Sequence, residues 1–149
     1  MIASLLIILV SSALLAYWFR YTCLLVLKTR TGKDYAAATA AANGLEFYRI
    51  KGRPIHDAPI AELPALQKSL ERDYRLLAYL SQHTTGLEVG GLTLEDRLLM
   101  LDFKAMRLIF ALGRVLGAAR ARAALQEMSS ILNHLANAMG ERIDSTNRA

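Results

Sequence analysis

The feature that most constrains this chain is its opening stretch, residues 1–27, MIASLLIILVSSALLAYWF followed by RYTCLLVL. Residues 1–19 hold no charged side chain, and Arg20 is the only one before Lys28. At a rise of roughly 1.5 Å per residue, a helix over 1–19 runs about 28 Å and one over 1–27 about 40 Å, against a hydrocarbon core of about 30 Å. The reading is a transmembrane anchor over 1–27, tilted or with its last turn emerging. Tyr17, Trp18, Phe19 and Tyr21 cluster toward its end, as aromatic side chains do at a headgroup boundary. Arg20 can extend its guanidinium toward water among them.

A cleaved signal peptide is the rival reading. It fits less well, because no basic residue precedes the apolar run, the run is long, and Ser12-Ala13-Leu14-Leu15-Ala16 makes a poor small-x-small cleavage site. Arg20-Tyr21-Thr22-Cys23 is not a lipoprotein cleavage box, so Cys23 reads as an inert thiol before a palmitoylated one. As the single cysteine it allows no intramolecular disulfide and no Cys-rich metal site.

Charge then ties the anchor to the residues on its C-terminal side. The net charge is +5, and residues 20–53 supply all of it: Arg20, Lys28, Arg30, Lys33, Arg49, Lys51 and Arg53 stand against Asp34 and Glu46 alone. From residue 54 onward, eleven bases face eleven acids. A nucleic-acid-binding domain would carry its own excess, so nucleic acid is disfavoured as a partner. Bases gathered on one side of an apolar span instead mark the cytoplasmic face, where anionic headgroups attract them. The orientation expected is N-terminus outside and domain in the cytoplasm. The membrane-interface set is Tyr17, Trp18, Phe19, Arg20, Tyr21, Lys28, Arg30 and Lys33.

Beyond the anchor the pattern predicts an all-α fold, a small bundle of about three main helices. Four segments are expected: the anchor 1–27, a basic juxtamembrane segment 28–56, a helical bundle 57–140 and a flexible polar tail 141–149. Residues 34–42 (DYAAATAAA) read as a short helix stopped by Asn43-Gly44. Residues 45–50 (LEFYRI) look strand-like, an extended connector or edge, because one strand makes no sheet. Residues 51–64 hold all three prolines and read as a linker and helix entry.

Three heptad-like seams come next. Leu63, Leu66, Leu70, Asp73, Leu77 and Leu80 are spaced 3, 4, 3, 4, 3, with Pro64 suited to a first turn. Thr84-Thr85-Gly86 can end that helix and residues 87–92 form a turn, after which Thr93 with Asp96 makes a capping-box start for the next. That second helix has the seam Leu94, Leu98, Leu101, Ala105, Leu108, Leu112, Val115 and a parallel row of Leu99, Asp102, Met106, Ile109, Gly113 and Leu116. Apolar over a wide arc, it is expected to be central; Asp102, Lys104, Arg107 and Arg114 argue against a second span. Gly113 and Gly117 suggest a close crossing or a bend, leaving residues 94–140 as one rod or two helices. The third seam is Ala121, Leu125, Met128, Leu132, Leu135, Met139, with Gly140 placed to end it.

Few residues invite chemistry. Asp73 and Asp102 sit in otherwise apolar rows; an interhelical contact to Arg or Tyr is the favoured role, a carboxylate pair for metal or proton relay the sharper one. His56, His83 and His134 lack a Glu three residues before them, so a di-iron bundle is not indicated. Lys104, Arg107, Arg114, Arg120 and Arg122 follow one another closely, and no acid occurs from 105 to 126. They could contact phosphate, headgroup or an acidic partner, although a solvated face balanced by acids of the first bundle helix is favoured. No P-loop, GxGxxG, HExxH, GxSxG or CxxC is present, and no cofactor is implied.

The sequence therefore points to a membrane-anchored helical protein acting through a protein partner or its own copies. An anionic-lipid module using the basic collar is the second reading. A helical enzyme using Asp73 and Asp102 is the third. The expectation is that the chain is not an enzyme.

Overall fold

The computed structural model describes residues 1–28, 34–84 and 92–148. The described residues are about 90% helical and contain no strand. Two compact units divide the chain, Met1–Arg30 and Thr31–Ala149.

The first unit is one helix, α1, Ile2–Lys28. Its apolar side chains run all round the axis, with no polar face to give to water. An 18-residue window of mean hydropathy 2.2 makes it long and apolar enough to cross a membrane.

The second unit contains α2 (Ala36–Asn43), α3 (Phe47–Lys51), α4 (Leu63–Thr84), α5 (Leu94–Leu116) and α6 (Ala118–Arg148). Two single 3₁₀ turns, Ile55–Asp57 and Ile60–Glu62, lead from α3 into α4. Each comes directly after a proline, Pro54 or Pro59, whose fixed φ and missing N–H suit the entry to a turn. Pro64 lies in the first turn of α4.

Helix α6 is the spine of this unit, packed against α5, α4, α2, α3 and the first 3₁₀ turn. The expectation that the second bundle helix would be central is therefore corrected. The composition explains it: the inner positions Ala121, Ala124, Leu125, Met128, Ser129, Ile131, Leu132, Leu135, Ala136 and Met139 cover nearly half of the circumference of α6. Its small residues let several neighbours come close. The expected third seam is buried at every position.

Helices α5 and α6 are two helices, not one rod, and form a hairpin. The break is Gly117, φ 150°, a conformation in the region that favours glycine; its N–H donates to the Gly113 carbonyl at 2.8 Å. Gly113 itself makes the close crossing, because a Cβ there would lie 2.8 Å from the Ala121 backbone nitrogen. Both readings of the glycine pair hold, one for each residue.

Three further expectations are corrected. Residues 45–50 are not extended: Phe47–Lys51 is a helical turn whose Phe47 and Ile50 are buried three apart. Gly140 does not end α6, which continues to Arg148, so residues 141–148 are helical. Instead Gly140 makes room for Tyr35, whose Cβ and ring carbon a Cβ at 140 would strike. The third concerns α5. Its expected seam faces outward, with Leu94, Leu101, Leu108, Leu112 and Val115 exposed, while the inner row is Leu99, Asp102, Phe103, Met106, Phe110 and Gly113. The inner face holds the bulky rings and the one glycine that lets α5 touch α6. Of the parallel row, Ile109 and Leu116 are exposed.

The short helix is capped as expected, with Gly44 left-handed at φ 62° and its N–H on the Ala40 carbonyl. The turn expected at 87–92 and the residues Thr85 and Gly86 lie, apart from Leu92, outside the described residues.

Candidate functional site

The buried polar residues decide whether the core holds chemistry. Asp73, on α4, turns one carboxylate oxygen onto the backbone N–H groups of Glu46 and Phe47, at 2.6 and 2.7 Å. These are donors at the start of α3, which no intrahelical carbonyl can satisfy. Arg72 stands 3.4 Å from the other oxygen and also reaches Glu46 at 3.7 Å. Asp73 is therefore a helix cap delivered from another helix. This corrects the expected contact to Arg or Tyr of a neighbouring helix: the partner is backbone. Burial raises its carboxyl above the ordinary 3.8, and the donors from Phe47, Glu46 and Arg72 pull it down by less.

The same device recurs. The Asn137 side chain on α6 accepts the Ala36 N–H at 2.6 Å, capping α2. Thr93 and Asp96 form a full reciprocal capping box at the start of α5, with bonds of 3.2 and 3.0 Å. Asp96 is in turn paired with Arg142 near the end of α6, which closes the open end of the hairpin. Tyr35 donates its hydroxyl to Asp144 at 2.7 Å, and that carboxylate holds the hydroxyl above its usual pKa. Sequence reading missed Asn137, Arg142 and Asp144. Only Asp96 carried a local signal, its spacing from Thr93.

Asp102 is fully buried on the inner row of α5. Among the described residues no group of three or more His, Cys, Asp or Glu is placed to hold a metal ion. His56 is exposed, His134 is half-buried, and His83 stacks on Tyr79 with ring centroids 4.0 Å apart.

The basic run divides. Arg107 reaches Glu71 of α4 at 3.7 Å, the balance by first-helix acids that was favoured. Arg122 donates to the Ala58 carbonyl at 3.0 Å. Lys104, Arg114 and Arg120 are exposed. Tyr74 stacks face to face on Phe103, centroids 4.3 Å apart, where α4 meets α5.

Two surfaces remain as candidates for contact. The first is the outward row of α5, at heptad spacing for its whole length, with Arg97 and Lys104 along one edge. The second is an open groove of about 940 Å³ beside α2 and α3, floored by Ala37, Ala40, Ala41 and Leu45 with Arg49 and Arg53 at its margin. Arg53 is bridged to Glu62 at 3.2 Å.

Of the interface set, α1 carries Tyr17, Trp18, Phe19, Arg20 and Tyr21 in its C-terminal half and Lys28 at its last position. Arg30 and Lys33 lie outside the described residues. No family model, curated protein or solved structure matches the chain.

Proposed function

We propose that this chain is a single-pass membrane protein whose helical domain works at the cytoplasmic face by protein contacts, as an accessory, assembly or scaffold subunit. The observation that carries the reading is the outward row of α5. A helix of a self-sufficient bundle leaves no regular apolar row uncovered, whereas this one turns Leu94, Leu101, Leu108, Leu112 and Val115 to the outside. The buried carboxylate of Asp73 is meanwhile spent on capping, which favours an architectural core over a catalytic one.

The location rests on α1 together with the bases beside it. A helix that is apolar all round finds its favourable surroundings in lipid, and Arg20, Lys28, Arg30 and Lys33 on its C-terminal side favour an outside N-terminus. Mild detergent extraction followed by co-purification tests the function. The expected result is reproducible recovery of the chain in a complex. A strictly monomeric protein with no partner contradicts it.

Anionic-lipid binding by the collar is the second reading. It is favoured by Arg49 and Lys51, which α3 holds exposed. Flotation of residues 28–149 with anionic vesicles across a salt series checks it; binding indifferent to salt and lipid charge removes it.

A further inference from the structure

We infer that the outward row of α5 is a self-pairing surface, and that the partner it takes is a second copy of this chain. This rests on the contact-protein reading above and names its partner. Three observations converge on a second copy.

The first is period. Leu94, Leu98, Leu101, Ala105, Leu108, Leu112 and Val115 alternate by 4 and 3 without a break. A strict period of 3.5 keeps a seam facing another helix along its length, which a lipid surface does not require. Ala105 sits at the middle of the row, where a small side chain lets two helix axes approach.

The second is area. In the row, Leu94, Leu101, Leu108, Leu112 and Val115 are 73%, 55%, 63%, 53% and 86% exposed, and Leu116 of the parallel row adjoins them at 65%. That amounts to roughly 600–700 Å² of apolar side chain, at the top of what a monomer leaves open and close to the ~800 Å² each partner gives to a standard interface. Two copies of this face together offer about 1,200–1,400 Å², the lower end of a standard interface. A two-fold axis makes one patch its own complement, so no further feature is needed.

The third is the character of the row. A helix lying in a headgroup layer commonly buries aromatic rings, yet α5 directs Phe103 and Phe110 inward against its own bundle. The outer row is wholly aliphatic, as coiled-coil seams are. Its edge charges are compatible with pairing. In an antiparallel pair with Ala105 opposite Leu108 of the second copy, Lys104 falls beside Ala111 of that copy and Arg97 lies at the end of its α5, where the chain turns away at Gly117, so like charges stay apart.

The test uses the full chain in mild detergent, with the protein mass of the particle read by sedimentation. The wild type is expected at twice the chain mass. Leu101→Glu with Leu108→Glu is expected to weaken pairing by about tenfold or more with helicity unchanged, since both side chains are exposed. Leu101→Met with Leu108→Met is expected to stay paired. A monomeric wild type, or a dimer that survives both glutamates with its helicity intact, overturns the inference. The failures are distinguishable. A monomer that still co-purifies with other membrane proteins ends the self-pairing alone, and a monomer that recovers nothing ends the contact reading too.

Discussion

At the scale of single residues, Asp73 shows how a buried charge can be architectural. Each of its bonds to Glu46 and Phe47 is charge-assisted, worth about 1.5–3 kcal/mol, while desolvating a carboxylate costs several kcal/mol. The raised carboxyl says desolvation prevails. Because the folded state takes up this proton more readily than the unfolded chain, its contribution to stability is full below pH 3.8 and lost as pH rises through the folded value. Asp73→Asn keeps an oxygen acceptor without the charge. Relative to that variant, the wild type should lose stability as pH climbs from about 4 and then level off; denaturant melts of both proteins across pH test this, and a difference that grows in the wild type's favour contradicts it. Asp73→Ala strands two buried donors and should cost about 2–4 kcal/mol, measured at neutral pH.

That Asp73 was special could be read from its place in a leucine seam. What it binds could not, since the acceptor's partners lie at Glu46 and Phe47, 27 and 26 positions away, in a stretch whose alternation Leu45, Phe47 imitates a strand. Asn137 gave no signal at all. A polar residue inside a helix looks alike whether it faces water or caps a neighbour.

Elements were legible where local chemistry fixes them. Gly44 ends α2, Thr93 starts α5 with Asp96, and Pro64 opens α4, each because the backbone at that point needs that residue type. The rotation of α5 was not legible, because it offers two apolar rows of similar regularity. The choice falls to Phe103, Phe110 and Gly113, whose fit is set by α6 and by the turn at Gly117. Two predictions belong here. Gly113→Ala should loosen the hairpin by about 1–3 kcal/mol through the clash with the Ala121 backbone. Gly117→Ala meets no neighbouring atom and should cost a similar ~1–3 kcal/mol through backbone strain alone. Urea unfolding of each variant gives the values, and a neutral Gly113→Ala would contradict the close crossing. The end of α6 was misplaced for a related reason: Gly140 resembles a stop, but its use is the space occupied by Tyr35.

At the scale of the whole molecule, one unit is an apolar helix and the other a bundle whose caps and core are self-contained except along α5. The Arg142 pair with Asp96 secures the end of the hairpin that the Gly117 turn does not. Arg142→Ala leaves the buried Asp96 carboxylate with its capping role alone and should lower stability by about 2 kcal/mol or more, read as an earlier thermal transition of the full chain. Function on this reading depends on both units together: α1 fixes the membrane and α5 supplies the contact.

The most direct measurement is protease protection of the full chain in sealed membrane vesicles of both orientations, with the intact mass read alongside. The uncleaved chain is expected to stay in the membrane through alkaline extraction, and the α2–α6 domain to be digested only where the cytoplasmic face is outward. Release into the soluble fraction, a mass shortened by the first 16–27 residues, or digestion from the opposite face would contradict membrane anchoring with a cytoplasmic domain.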